Sequence, residues 1–150
     1  LAALTRAMLD DLEILCESRG LTLISETPET LCATGDSRRI AVILQNLSEN
    51  AVKYAGDGGT VKISCASAGG MPCVSVANTG SPIPEESRAR LFERFHRASV
   101  GENIRGHGLG LNIAKTLATA QGGDVSLTRS DGEWTEFRLV LPAPAPPPAA

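Results

Sequence analysis

Three polar residues recur at helical spacing within the segment 37–55: Asn46, Asn50 and Lys53. At about 100° per residue they lie within roughly 60° of one another on one helix face. An amide oxygen is a neutral, hard ligand that suits Mg²⁺, and a lysine one turn away can neutralise phosphate. The spacing fits a platform for a metal–nucleotide complex, although a solvated helix face explains the same residues equally well.

A second group with chemical potential is the segment 106–111, which reads Gly-His-Gly-Leu-Gly-Leu and begins an apolar helical pattern. The unpaired N–H groups of a helix start can face an anion, so the segment fits a phosphate cradle. A flexible loop that enters a helix uses the same glycines. The segment lacks the Lys-Ser/Thr ending of a P-loop and does not follow a strand, which argues against Walker-type and dinucleotide-fold binding.

The composition is that of an ordinary globular chain: 150 residues, 42% hydrophobic and 21% charged, which predicts one domain with one core. A net charge of −3, with three Phe, one Tyr and one Trp, offers neither a basic surface nor stacking platforms for nucleic acid. No apolar run reaches the roughly 20 residues that cross a bilayer, and charges interrupt the segment 1–15 where a signal peptide would be apolar. The start at Leu1 rather than Met suggests a fragment.

The four cysteines and two histidines do not predict a metal site. The cysteines lack C-x-x-C spacing, and neither His96 nor His107 stands near another ligand at metal spacing. We expect buried free thiols in a reducing cytosol and no metal held by protein side chains alone.

Hydrophobic periodicity and turn residues predict the elements that position these groups. Helices are expected over 1–19, 37–55 and 109–120, with a short one from the prolines at 82 and 84 to about 95. The expected strands are 21–24, 31–33, a hairpin over 61–76 that turns at Gly69-Gly70, and a second hairpin that pairs 125–127 with 137–141. The segment 99–107 reads as a polar loop, and the proline-rich end as a disordered tail.

Four segments resemble, in order, the N, G1, F and G2 boxes of the histidine kinase branch of the GHKL ATP-binding superfamily: 46–54, 78–83, 91–97 and 106–111. The resemblance implies an α/β fold, a two-layer sandwich (Bergerat or GHKL fold) with a mixed sheet of about five strands and three main helices on one face. It also implies three regions. These are an N-terminal helix over 1–20 that leads from a dimerisation domain, an ATP-binding catalytic domain over 21–141, and the disordered tail over 142–150.

The resemblance assigns ATP and Mg²⁺ as cofactors, with ADP as product. It implies that Asn50 binds Mg²⁺ and that Asn46, Asn50 and Lys53 form the catalytic group near the phosphates. The remaining nucleotide contacts that it implies are Tyr54, Asn78 opposite adenine, Gly80, Ile83, Arg97, Arg105 and the glycine-rich set Gly106, His107, Gly108, Leu109, Gly110 and Leu111. The segment 99–105 would be the ATP lid. Phe92 and Phe95 would anchor the lid and a helical partner, or simply pack in the core.

Two positions depart from the family pattern. Asn78 stands where the G1 box usually has an acid, and Pro82 replaces its second glycine. An amide oxygen accepts a hydrogen bond from an amino group more weakly than a carboxylate does, by something like 1 kcal/mol. We expect weaker nucleotide binding rather than its loss.

The implied reaction is transfer of the ATP γ-phosphoryl group to a histidine on a separate dimerisation domain, followed by transfer to a response regulator. His96 and His107 lie in the F and G2 boxes and are not acceptors. The resemblance implies a cytoplasmic, monomeric fragment without membrane contact, whose full-length parent is a homodimeric inner-membrane sensor. Three alternatives are a gyrase-type ATP hydrolase, an anti-sigma-factor serine kinase and a nucleotide-sensing pseudokinase. The hydrolase is disfavoured because Asn46 stands in place of its glutamate base.

Overall fold

The computed structural model describes residues 1–93, 110–146 and 148. Helices and strands follow one another in mixed order along this part of the chain. The elements are α1 (Ala2–Ser18), β1 (Thr22–Glu26), α2 (Ser37–Tyr54), β2 (Thr60–Ala68), β3 (Met71–Thr79), α3 (Glu85–Arg88), α4 (Gly110–Ala120), β4 (Asp124–Ser130) and β5 (Trp134–Val140).

The five strands form one sheet in the order β1-β2-β3-β5-β4. β1 pairs with β2 in parallel, and the other pairs are antiparallel. Register places Ile63, Val76 and Phe137 side by side on one face, where all three are buried. The apolar sides of α1, α2 and α4 complete the core on that face. The predicted two-layer sandwich, with a mixed five-stranded sheet and three main helices, is confirmed.

Helix α2 forms as its sequence predicts. The Asp36 side chain caps it and accepts hydrogen bonds from Arg38 N at 2.9 Å and Arg39 N at 3.1 Å. Ile43 and Leu47 are representative of the buried stripe that faces the sheet. Because this stripe fixes the rotation of the helix, the polar stripe beside it must lie at the border of the core.

Two predicted elements differ in the structure. Residues 31–33 form no strand, because Leu31 O accepts from Ala2 N at 3.1 Å and Thr34 N donates to Pro142 O at 2.9 Å. These bonds tie the segment to the start of α1 and to the chain after β5 instead of to a neighbouring strand. The helix expected to reach residue 95 ends at Arg88, and the chain continues to Glu93 in turns held by i→i+3 hydrogen bonds.

The first helix belongs to the same hydrophobic core as the sheet. Leu12 and Cys16 of α1 are buried in it, and the Thr5 hydroxyl accepts from the Cys65 thiol at 3.3 Å. Burial raises the pKa of the Cys16 thiol. All four cysteines are free, and Cys32 is exposed rather than buried as expected. Whether α1 leads from a dimerisation domain, and whether the tail is disordered, stay predictions.

Candidate functional site

The polar stripe of α2 faces the start of α4. Asn46 Nδ2 donates to Val42 O at 3.0 Å, which leaves Oδ1 directed away from its own helix. A Cβ added to Gly110 would lie 3.3 Å from that Oδ1. The structure therefore brings Asn46 of the N box and Gly110 of the G2 box together, although they are far apart in the sequence.

The two helices run antiparallel. At the other end of the pair, Asp36 N at the start of α2 donates to Gln121 Oε1, just after α4, at 2.5 Å. The N-terminal turn of α4, whose first N–H groups have no partner within the helix itself, consequently lies beside the polar stripe. Leu111, the next residue of α4, is half-buried and packs against the core.

Asn50 and Lys53 follow Asn46 along the same face. Asn50 is half-buried and Lys53 is exposed, and Tyr54 at the end of the helix is half-buried. Residues 46 to 53 span roughly 11 Å along the axis. No group of three His, Cys, Asp or Glu side chains in the described ranges could hold a metal ion. A divalent cation here would depend on the Asn50 amide oxygen and on oxygens from a ligand, which is the donor chemistry that Mg²⁺ prefers.

The G1 box contacts the C-terminal end of α2. Asn78 lies on β3 and is only 2% exposed. Gly80 has φ of +138°, and a Cβ added there would lie 2.5 Å from Tyr54 O and 3.2 Å from Gly56 N. Only glycine fits this approach. Ile83 lies further on, where its N–H donates to Ser130 Oγ at 2.8 Å and its side chain packs on the core.

The start of the F box is held by β5 and α4. The Phe92 ring packs edge-on against Phe137 with centroids 6.1 Å apart, and Lys115 Nζ lies 4.9 Å from its centroid. Asn112 Nδ2 donates to Phe92 O at 2.9 Å. The sequence analysis did not identify Asn112 and Lys115 as the residues that hold Phe92. Their i, i+3 spacing, which puts both on one face of α4, could have indicated them.

Several predicted site residues lie outside the described residues. They fall between 94 and 109 and include the proposed lid over 99–105. The residues concerned are Phe95, His96, Arg97, Arg105, Gly106, His107, Gly108 and Leu109.

Two further features lie away from the α2 stripe. A groove of about 390 Å³ is lined by Arg88, Phe92 and the β4 segment 126–130. At the β4–β5 turn, hydrogen bonds from the Trp134 backbone N–H and the Arg129 side chain lower the pKa of Asp131 to about 2. The hydrogen bond to Asp131 also raises the pKa of Arg129.

Within the part of the chain that the structure describes, no helix is long and apolar enough to cross a membrane.

Comparison with known proteins shows the family to which the chain belongs. The family model of histidine kinase-, DNA gyrase B- and HSP90-like ATPases matches residues 35–145. Sensor histidine kinase CusS of Escherichia coli O6:H1 (strain CFT073) is 37% identical over 136 residues, which cover 89% of this chain and 28% of CusS.

Solved structures show the same fold. The catalytic domain of histidine kinase ThkA is 28% identical with a TM-score of 0.82, over 95% of this chain and 92% of ThkA. Full-length ShkA in complex with AMPPNP is 30% identical with a TM-score of 0.80, over 99% of this chain and 31% of ShkA. The chain spans only 15% to 35% of the length of the first curated relatives it matches. The chain belongs to the histidine kinase-, DNA gyrase B- and HSP90-like ATPase family, and its resemblance to the ATP-binding catalytic domain of sensor histidine kinases is confirmed.

Proposed function

We propose that this domain binds Mg-ATP and donates the γ-phosphoryl group to a histidine on a separate dimerisation domain of a sensor histidine kinase. The observation that supports it best is the contact between Asn46 and the first residue of α4. That contact places a helix N-terminus, which favours anions, next to a stripe that ends with an exposed lysine. The likeness to CusS and ThkA supports the kinase reaction over other chemistry of the family.

Each residue has a role that its chemistry permits. Asn50 would hold Mg²⁺ through its amide oxygen, and the bound ion would neutralise charge on the phosphates. Lys53 would neutralise phosphate charge from the same helix face, and the N–H groups at the start of α4 would bind phosphate oxygens. Asn78 would accept a hydrogen bond from the adenine amino group. Positioning and charge neutralisation suffice for phosphoryl transfer, because the histidine acceptor supplies the nucleophile.

The acceptor and the downstream partner belong to other segments or proteins. The unprotonated ring nitrogen of the acceptor imidazole would form a bond to the γ-phosphorus as the bond to the β,γ-bridging oxygen breaks. The proton on the other ring nitrogen would be lost, and ADP would be released. A response regulator would then take the phosphoryl group. The proposal includes a cytosolic position for this domain in a homodimeric inner-membrane sensor.

A hydrolase is the less favourable alternative. The gyrase-type mechanism needs a carboxylate base where this chain has Asn46, and an amide has no useful basicity. The Asn46 amide nitrogen also donates to Val42 O, which fixes the side chain against its own helix. A pseudokinase remains the second candidate, because Asn78 replaces the acid of the G1 box.

Calorimetric titration of the chain with ATP and ADP, with and without Mg²⁺, tests the site. We expect magnesium-dependent ATP binding that Asn50→Ala abolishes. Gln45→Ala is the matched control, since Gln45 is exposed on the same helix. Among the described residues, its side chain forms a hydrogen bond only with Glu49. An absence of binding at millimolar nucleotide would contradict the proposal, as would equal binding by wild type and Asn50→Ala.

A further inference from the structure

The amide of Asn78 is held in one orientation by a backbone carbonyl. Its Nδ2 donates to Thr79 O at 3.0 Å. A reversed amide would bring Oδ1 to the same distance from Thr79 O, and two acceptors at that distance repel. The NH₂ group therefore faces Thr79. Oδ1 remains as an acceptor and has no hydrogen-bond partner within the described ranges.

The Thr79 carbonyl is itself fixed. Gly56 N donates to Thr79 O at 3.1 Å, and Thr60 N donates to Thr79 Oγ1 at 2.9 Å. On the other side, the φ of +138° at Gly80 sets the plane of the Thr79–Gly80 peptide. We call these four residues, Gly56, Thr60, Thr79 and Gly80, the Thr79 junction. The junction connects the end of α2 and the start of β2 to the end of β3.

We propose that the Thr79 junction positions the Asn78 amide so that the site selects a purine with an amino group at its 6-position. This inference rests on the proposed function. An asparagine without such a restraint can rotate its amide to accept from an amino group or to donate to a keto group. Because NH₂ is held at Thr79 O, the amide cannot reverse and Oδ1 is the atom that it presents to the base. Oδ1 would accept from the 6-amino group of adenine and would repel the 6-keto oxygen of guanine.

The junction also explains why asparagine suits this position. In isolation a carboxylate makes the stronger bond to an amino group. Here Asn78→Asp would replace a donor with an acceptor about 3.0 Å from Thr79 O, and would place a negative charge at a position that is 2% exposed. We therefore expect the substitution to weaken ATP binding, although aspartate is the residue usual in the family that the chain resembles.

Gly56 offers a matched pair of variants. Gly56→Pro removes the N–H that holds Thr79 O and puts the proline ring in its place, which displaces that carbonyl. Ala55, at φ −62° and ψ 135°, already has a conformation allowed before proline. Gly56→Ala keeps the N–H. A Cβ there would meet only Gly80 Cα at 3.7 Å, which is an ordinary contact.

The experiment measures Kd for ATP and for GTP on wild type and the variants by titration calorimetry. We expect wild type and Gly56→Ala to prefer ATP equally, and the preference to fall about fivefold in Gly56→Pro. A merely structural loss would weaken both nucleotides alike and leave the ratio unchanged, which would overturn the inference.

Asn78→Asp keeps the inference testable if Gly56→Pro fails to fold. We expect its Kd for ATP to rise about fivefold, and tighter ATP binding than wild type would overturn the role of Thr79. Failure of the nucleotide-binding part of the proposed function is distinguishable, because wild type would then bind neither nucleotide.

Discussion

Gly80→Ala tests whether the G1 box and the end of α2 are joined as the structure shows. The added Cβ would lie 2.5 Å from Tyr54 O and 3.2 Å from Gly56 N. Both are backbone atoms at the end of a helix, so neither can move aside as a flexible side chain would. The residue would also have to keep a φ of +138°, which alanine rarely adopts.

The cost follows from these two terms. A non-glycine residue in such a conformation costs of order 1–3 kcal/mol, and overpacking typically adds another 1–3 kcal/mol. We expect a total of about 4 kcal/mol, which for a chain of this size lowers Tm by roughly 8–16 °C. Gly58→Ala is the control, because Gly58 has φ of +66° but no atom within 4 Å of an added Cβ. It should cost only about 1 kcal/mol, or roughly 2–4 °C.

Differential scanning calorimetry of wild type, Gly80→Ala and Gly58→Ala gives the three Tm values, and ATP titration of the same samples gives the affinity for ATP. We expect Gly80→Ala to lose affinity for ATP as well as stability, while Gly58→Ala binds as wild type does. Equal Tm shifts for the two variants would refute the close approach of Gly80 to α2.

Three further predictions concern the core, the cap of α2 and the carboxylate of Asp131. Ile43→Ala should lower the free energy of unfolding by about 2–5 kcal/mol in urea titrations, since Ile43 is fully buried. Ile113→Ala, at a site that is 39% exposed, should lower it much less. Similar losses for the two variants would contradict the assigned core. Asp36→Ala should lower the free energy of unfolding by about 1 kcal/mol in the same measurement, because it removes the side chain that caps α2. Asp36→Asn keeps a capping oxygen and should lower it little. Equal losses would mean that the cap is unimportant. Asp131 has a folded pKa of about 2 against an ordinary 3.8, so its stabilising effect is present above pH 3.8 and is lost as pH falls toward 2. Asp131→Asn should flatten the dependence of stability on pH within that window, and an unchanged curve would contradict the hydrogen bonds assigned to its carboxylate.

The elements that the sequence predicted well are those specified by local signals. Asp36 and the apolar stripe after it defined α2, and Gly69-Gly70, with φ of +58° and +81°, made the predicted hairpin turn. The short apolar segment 31–33 gave a false strand. Its backbone groups bond to the start of α1 and to Pro142, and no local pattern reveals such distant partners.

The site was predictable in composition but not in arrangement. Spacing placed Asn46, Asn50 and Lys53 on one face, because helical geometry alone determines that. The contact of Asn46 with Gly110 depends on the antiparallel packing of α2 and α4, and the orientation of the Asn78 amide depends on a carbonyl fixed by Gly56. Both are tertiary features that residue types do not specify.

The most direct test of the kinase proposal is phosphotransfer from this domain to the proposed dimerisation domain joined to it in one protein. Incubation with radioactive ATP and Mg²⁺ should place acid-labile, alkali-stable label on a histidine of the helical dimerisation domain, and Asn50→Ala should abolish it. Wild-type protein that binds Mg-ATP but acquires no such label would contradict the kinase function and favour the nucleotide-sensing alternative.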